Sequence, residues 1–437
     1  MNLSFLIRAI FGLAFFQGIA SYVGISLNQY RFLLEFLIVI LFFTFIHFLL
    51  SRQDKSFRAP GWIWFVIFSI AVFTSALINK SDLYTTIRMY RQILWPYLFF
   101  LSILNIYLSP QSIRKINKFI VILVILQIPA AIYKYAMYGV REDVIIGTFS
   151  TQAGSMSTIF PLFIIGYLIA FYYCYKKNPL FLLLIPGLMF FAWSGGKRAF
   201  FIFMPALLFA AYIIYNLSIR QNKISILKIL PNLILFITVI GIILYLGGRL
   251  NPVFNPEKER WGSFDLSYMI SQARDTQMGT PETGLTQGRI ASFKVAFDEI
   301  IINSSDLQRK LLGDGPDRLY LRDDHRMDYG IRYGISGAVF NLISTGLAGT
   351  LSFFFLYITF GVKAYKCIKN LQDSLYIAIA FGTILATIVF CIDFLFYSMA
   401  FFSGYILSIL FFYSAAILFK QDSNKESEIL TLRTLNF

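Results

Sequence analysis

Apolar segments of about twenty residues recur along the whole chain, and each is long enough to cross a bilayer as an α-helix. Of the 437 residues, 57% are hydrophobic and only 14% are charged. A soluble domain needs more polar surface than this composition supplies. We therefore predict an all-α polytopic membrane protein. The first apolar segment has no A-x-A-like cleavage site, so we expect it to remain as a membrane span.

We predict twelve transmembrane helices, with one large, partly helical loop between the ninth and the tenth. The chain then divides into spans one to nine (1–247), a loop domain (248–334), spans ten to twelve (335–419) and a tail (420–437). The predicted spans are 3–27, 32–50, 61–78, 93–108, 119–139, 155–175, 180–194, 199–217, 229–247, 335–362, 374–392 and 398–419.

Lys and Arg are distributed unevenly between the two sets of alternate connections. One set, together with the tail, carries 17 of them, whereas the opposite short loops carry 7. Because Lys and Arg accumulate on the cytoplasmic side, we predict that both termini are cytoplasmic and that the loop domain is on the outer side. The same rule accounts for the net charge of +15, so we expect no nucleic-acid partner.

The turn between predicted spans seven and eight, SGGKR at 194–198, does not follow this charge rule. It places Lys197 and Arg198 on the side where positive charge is not expected. Cations that do not serve insertion indicate an anionic ligand. Three further outer cations either extend this cationic surface or anchor helices at the interface, namely Arg88, Arg91 and Arg141.

The loop domain carries 12 Lys or Arg and 13 Asp or Glu, a mixture that favours a folded segment over a tail. Apolar residues at helical spacing predict an amphipathic helix over 288–302, with Thr286 as N-cap and Arg289 in the first turn. A second, shorter helix is predicted over 263–273. Such helices are suited to lie along the outer membrane interface.

A charged cluster, RDDHRMDYGIRYG, comes just before the tenth span. Its histidine, His325, is our candidate acid/base group, and a solvated, salt-bridged loop is the alternative. Nearby groups are candidates for substrate binding or for replacing the base, namely Asp317, Arg322, Asp323, Asp324 and Arg326. We find no nucleotide-binding or metalloprotease motif and only three scattered cysteines, so we expect neither a metal nor a cofactor.

Four features together resemble the O-antigen polymerase and O-antigen ligase superfamily. They are the twelve-span layout, the SGGKR turn, the loop sequence GRIASFKVAFDEII followed by LLGDGP and a histidine, and the return YGISGAVFNLISTGLAG. The resemblance implies a bacterial inner-membrane enzyme. It also implies metal-independent glycosyl transfer in the periplasm, from an undecaprenyl-pyrophosphate-linked oligosaccharide to a second saccharide.

Carried over to this chain, the resemblance implies that Arg198 and Arg289 hold the pyrophosphate, with Lys197 assisting, and that His325 is the loop histidine. His325 is followed by RMDYG, whereas the family's ligases have an H-N-x-x-L-like context. This departure favours the polymerase branch over a ligase that transfers glycan to lipid A core. The implied partners are lipid-linked oligosaccharides and the bilayer, with a chain-length regulator protein left open.

Two other classes of function stay open. A lipid-linked oligosaccharide flippase also has many spans and a cationic cavity, but it needs charge inside the spans to line its route. A transporter of small anions predicts broken helices in pairs and internal symmetry. The spans here are nearly free of charge and show no internal repeat. We therefore favour glycosyl transfer.

Overall fold

The computed structural model describes residues 2–20, 24–51, 57–138, 147–148, 155–175, 178–195, 197–219, 238, 241–242, 244–249, 254–259, 261–278, 288–318, 329, 331 and 335–434. Within these ranges the secondary structure is helical, without a β-strand. Six of the helices found there are long and apolar enough to cross a membrane, and apolar helices of 10–17 residues accompany them. The chain is therefore a helical, multi-pass membrane protein.

Eleven of the twelve predicted spans fall on helices of the described residues, of which six are long and apolar enough to cross a membrane. The exception is the ninth span, 229–247, which lies largely outside the described residues. Short π-helical turns follow three of the helices, over Tyr215–Ile219, Asp298–Ile302 and Ile392–Tyr397. The helices are α1 Leu3–Phe16, α2 Leu27–Ser51, α3 Trp62–Ile78, α4 Leu83–Asn105, α5 Pro110–Tyr138, α6 Met156–Cys174, α7 Leu180–Ser194, α8 Arg198–Ile214, α9 Leu266–Met278, α10 Arg289–Phe297, α11 Leu307–Leu312, α12 Gly337–Ile368, α13 Ser374–Cys391, α14 Ala400–Ser403 and α15 Tyr405–Thr434.

Several helix ends differ from the prediction, and contacts explain two of them. The first span was expected to run to residue 27, but α1 ends at Phe16, and the Gly18 amide then donates to the Thr148 carbonyl at 2.9 Å. The fourth span was expected to begin at 93, but α4 begins at Leu83 because the Asp82 carboxylate caps it, accepting from the Thr85 amide at 2.8 Å. Hydropathy marks the apolar stretch, whereas capping and turn contacts decide the ends.

The core consists of helices that pack against one another in pairs. α13 packs along α6, α12 along α3, and α15 along α4, with α12 also against α13. Aromatic rings fill the centre, where Tyr357 of α12 stacks on Phe390 of α13 with ring centroids 4.2 Å apart. The Tyr357 hydroxyl hydrogen-bonds to the Ser408 hydroxyl at 2.9 Å, so its polar atom is satisfied.

The predicted tenth span is broken near its start. Gly346, inside α12, has φ 62° and ψ −160°, a conformation that is essentially restricted to glycine. Two carbonyls next to the break accept hydrogen bonds from other elements. The Ile343 carbonyl accepts from the Asp314 amide at 2.7 Å, and the Ser344 carbonyl accepts from the Ser75 hydroxyl at 2.9 Å. The LLGDGP segment thus docks into the break.

An ion pair fixes the LLGDGP segment in shape. Arg309 of α11 binds both carboxylate oxygens of Asp314, at 2.6 and 2.9 Å, and the Tyr329 hydroxyl donates to Asp314 at 2.6 Å. Burial disfavours the charged carboxyl, but the bonds from Arg309 and Tyr329 outweigh it and hold the pKa of Asp314 below its usual value. The segment is therefore anchored at both α11 and α12.

Both helices predicted in the loop domain are present, with changed details. The 263–273 prediction corresponds to α9, and the 288–302 prediction to α10 with its π-helical turn. Gly288 is the N-cap residue of α10, and Thr286 lies outside the described residues. The residues of α10 and its π-helical turn differ in exposure. Ser292, Ala296 and Ile300 are buried, whereas Ile290 and Phe293 are 46% and 37% exposed.

Candidate functional site

Residues 393–405, which we call the hub segment, join α13 to α15 and organise the candidate site. The Asp393 carboxylate is 1% exposed and accepts hydrogen bonds from the Ser398 hydroxyl at 2.5 Å and the Phe401 amide at 3.0 Å. The Ser398 carbonyl accepts from the Gly337 amide at 2.7 Å, at the start of α12. A buried carboxylate paired in this way fixes the backbone around it.

Arg289 of the loop domain contacts one end of the hub segment. Its guanidinium carbon lies 4.3 Å from the centre of the Tyr397 ring, within cation–π distance. Arg289 also interacts electrostatically with Asp393. Arg289, Ser292 and Ala296 share one face of α10, and the last two are buried. This spacing explains why the Arg289 side chain points toward the membrane helices. The loop domain thus delivers a cation to the membrane helices.

The SGGKR turn is linked to the same place through the start of α6. The Tyr397 hydroxyl hydrogen-bonds to the Thr158 hydroxyl at 2.8 Å. The neighbouring Ser157 packs against the turn, since a Cβ at Gly195 would lie 3.0 Å from its hydroxyl oxygen. Lys197 is half-buried and Arg198 begins α8, although the Arg198 side chain lies outside the described part of the chain. One contact path therefore joins the turn to Arg289.

A second group of charged residues contacts the other end of the hub segment. The Tyr405 hydroxyl donates to the Glu35 carboxylate at 2.6 Å, and the Arg91 Nε lies 3.7 Å from the same oxygen. The Arg31 guanidinium lies 5.6 Å from the centre of the Tyr405 ring. Glu35 is 4% exposed, so these contacts are in a dry setting. Arg31 and Arg289 therefore contact the two ends of the hub segment, and Arg91 is linked to it through Glu35.

The sequence prediction placed Arg88 and Arg91 in an outer loop, but both belong to α4. With Gln92 and Trp95 they occupy positions i, i+3, i+4 and i+7 of the helix, which form a single face. α4 packs against both α2 and α15, and Arg91 reaches Glu35 of α2. Because α4 begins earlier than predicted, Arg88 and Arg91 lie on one face of a helix rather than in a loop.

The remaining predicted site residues fall into two groups. The Asp317 carboxylate accepts from the Ser81 hydroxyl at 2.7 Å and the Asp82 amide at 3.4 Å, so it ties the loop to the α3–α4 connection. The others lie outside the described residues, namely Arg141, Arg322, Asp323, Asp324, His325 and Arg326. Among the described residues there is no group of three or more His, Cys, Asp or Glu that could hold a metal ion.

Three residues of this region were not singled out from the sequence, namely Glu35, Asp393 and Tyr397, and neither was the buried Lys134 elsewhere in the helices. Lys134 is a further buried cation, 7% exposed, in α5. The available signal was an ionisable residue inside an otherwise apolar span, which by itself indicates a functional or paired group. Asp393 and Lys134 both carry that signal.

The chain matches no protein-family model and no curated protein to which it was compared. The functional assignment therefore depends on the residues and their geometry. That geometry places the Arg289 and Arg31 guanidinium groups at the two ends of a hydrogen-bonded segment, with Arg91 linked to the second end through Glu35. Such an arrangement is suited to bind a multiply charged anion, because guanidinium forks bind phosphate oxygens in pairs.

The Glu35 carboxylate is expected to be essential for the stability of this arrangement. Glu35→Gln keeps the side-chain size and an acceptor for Tyr405 but removes the negative charge. Arg31 and Arg91 then lie close together without a counter-charge, and we expect the free energy of unfolding to fall by about 3 kcal/mol. Thermal unfolding of the purified protein in detergent measures this loss.

Glu299→Gln is the matched control. Glu299 pairs with Arg309 at 3.4 Å, but its side chain is 45% exposed, and exposed pairs contribute only about 0–1 kcal/mol. Similar Tm values for the Glu35 and Glu299 variants would contradict the role given to Glu35.

Proposed function

We propose that this protein is a membrane glycosyltransferase that polymerises undecaprenyl-pyrophosphate-linked oligosaccharide repeat units on the periplasmic face of the bacterial inner membrane. The product would be an O-antigen, a capsule or an exopolysaccharide. The observation that carries the proposal is the contact of Arg289 with Tyr397 of the hub segment, which is itself linked to the SGGKR turn through the start of α6. At the other end of the segment, Arg31 contacts Tyr405, and Arg91 pairs with the Glu35 carboxylate that Tyr405 binds. The motif resemblance supports the same reaction class.

In the proposed reaction, a sugar hydroxyl of one lipid-linked glycan attacks the anomeric carbon of another. The new carbon–oxygen bond forms while the bond to the pyrophosphate oxygen breaks, and the bonding electron pair leaves with undecaprenyl pyrophosphate. Charge grows on the bridging oxygen as this bond breaks. Fixed guanidinium groups stabilise that charge without reorganising, which is why we assign this role to Arg198 and Arg289, with Lys197 assisting.

The attacking hydroxyl is a weak nucleophile and gains from a base within hydrogen-bond reach. We assign His325 as the base that accepts the proton of this hydroxyl, with Asp317, Asp323 or Asp324 as alternative bases. Direct displacement inverts the configuration at the anomeric carbon. Arg88, Arg91, Arg141, Arg322 and Arg326 would contribute to the surrounding cationic surface.

Arg198→Ala tests the pyrophosphate contact in the organism that carries the gene. We expect polymer to be lost while the protein stays in the membrane at its normal level, because one donor of a preorganised charge site contributes about 10²–10³-fold in rate. Gel analysis of surface glycolipids and immunoblotting measure the two quantities. Lys366→Ala, a change in a predicted cytoplasmic connection, is the control. Polymer of normal length in the Arg198 variant would remove this residue from the mechanism.

A deletion strain separates the proposed polymerase from the two alternatives. One repeat unit on the acceptor indicates a missing polymerase. Acceptor without any repeat unit, together with accumulated lipid-linked polymer, indicates a missing ligase. Repeat units that accumulate on the cytoplasmic leaflet indicate a missing flippase. Only the first outcome agrees with the proposal.

A further inference from the structure

A groove of about 460 Å³ lies between α5, α6, α7, α13 and α15. Its walls are almost entirely apolar, with side chains such as Leu168, Leu184 and Ile379. Val121 lines the groove and is 41% exposed, so the groove opens at the surface of the helix bundle. Cavities of this size hold one elongated ligand of moderate length.

The polar residues of the groove are concentrated at one end. Arg114 and Lys118 lie four residues apart in the first turns of α5 and both line the groove. Asn117, between them, accepts a hydrogen bond from the Tyr413 hydroxyl at 2.9 Å. Arg114 is also close enough to Tyr376 of α13 to interact with it electrostatically. The groove therefore combines an apolar body with a doubly cationic mouth.

The accumulation of Lys and Arg on the cytoplasmic side explains why cations occur in the predicted connection before the fifth span. It does not explain which of them face the groove. Lys115 belongs to the same predicted cytoplasmic connection and to the same helical turn, yet it does not line the groove. Arg114 and Lys118 are on one face because of their i, i+4 spacing. Two cations directed to one apolar groove match a lipid with a negatively charged headgroup and acyl chains.

We propose that this groove binds one anionic glycerophospholipid of the cytoplasmic leaflet, with the phosphate between Arg114 and Lys118 and an acyl chain along Leu184. The polyprenyl donor is a poor match because the mouth lies at the wrong end of the bundle. Asn117, between the two cations, bonds to Tyr413, which is eight residues, about 12 Å, along α15 from Tyr405 of the hub segment.

The test uses the full-length purified protein in detergent, titrated with phosphatidylglycerol or phosphatidylcholine. Native mass spectrometry counts bound lipids, and thermal unfolding reports their effect on Tm. We expect one phosphatidylglycerol per chain, a higher Tm with phosphatidylglycerol, and no such effect of phosphatidylcholine. Replacing Arg114 and Lys118 by Gln should weaken phosphatidylglycerol binding about tenfold or more, as expected for the loss of charged hydrogen bonds.

Lys115→Gln is the matched charge control and should leave binding unchanged. Leu184→Trp should block the groove, whereas Leu183→Trp, at a position that is 67% exposed and does not line it, should not. The Trp pair also keeps the test valid if the double Gln variant fails to fold. Equal binding of the two phospholipids, an equal loss in Lys115→Gln, or tighter binding of a polyprenyl phosphate would overturn the proposal.

Discussion

Arg289→Lys is expected to reduce polymer formation by about 10²-fold without lowering the amount of protein in the membrane. Lysine keeps the positive charge but loses the planar fork that binds two phosphate oxygens at once and stacks on an aromatic ring. Arg289 is stacked on Tyr397 and sits beside Asp393, so its fork is held in one orientation. The loss of one such preorganised group costs about 10²–10³-fold in rate.

The measurement is the rate of chain extension by purified protein with a lipid-linked oligosaccharide donor, together with the surface glycolipid pattern in cells. Arg274→Lys is the matched control, since Arg274 lies exposed on α9 of the same loop domain. Tyr397→Phe keeps the ring and loses only the bond to Thr158, so we expect a much smaller effect. If Arg289→Lys were as active as Arg274→Lys, the bidentate contact would be refuted.

Gly346→Ala is expected to prevent the protein from accumulating, or to lower its free energy of unfolding by more than about 3 kcal/mol. Two causes add. The φ of 62° with ψ of −160° is available to glycine only, and a Cβ at this position would collide with the backbone of Leu311 and Leu312. Gly313 makes the reciprocal contact with the Ile343 carbonyl, so Gly313→Ala should have a similar effect.

Membrane abundance and Tm in detergent measure this prediction. Gly12→Ala is the control, because Gly12 lies in α1 and its added Cβ would meet only the Phe119 ring, at an ordinary 3.9 Å. Alanine in a helix is about 1 kcal/mol more favourable than glycine, so this variant should be neutral or slightly more stable. A Gly346→Ala protein with wild-type abundance and Tm would show that the break in α12 is not required.

Much of the fold was predictable because long apolar runs have few alternatives in a membrane. The positions of the described apolar helices and of both loop-domain helices follow from hydropathy and helical periodicity. The break at Gly346 was not predictable, since STGLAG reads as an uninterrupted apolar helix. The Asp314 amide of the docked LLGDGP segment and the Ser75 hydroxyl of α3 donate to carbonyls next to the break and compensate the lost helical hydrogen bonds. Such a tertiary partner leaves no periodic signal in the sequence.

Of the residues around the hub segment, the sequence singled out Arg289 and Arg91, but not Arg31, Glu35 or Asp393. Arg289 was expected in the first turn of a loop helix, and the structure places it as the first residue of α10. Glu35 and Tyr405 lie 370 residues apart in sequence, and no local pattern relates them. Asp393 lies near the end of a span, and its hydrogen bonds depend on the course of the hub segment. Long-range pairing of this kind requires the folded structure.

The hub segment has a consequence for biosynthesis. Its partners come from the second helix, the fourth helix and the loop domain, but the segment itself is translated only shortly before the last helix. A nascent chain that has inserted its earlier helices therefore holds Arg31 and Arg289 without the tyrosines that they contact. Both tyrosines are present only in the completed polypeptide, so a truncated product would occupy the membrane with the candidate site unformed.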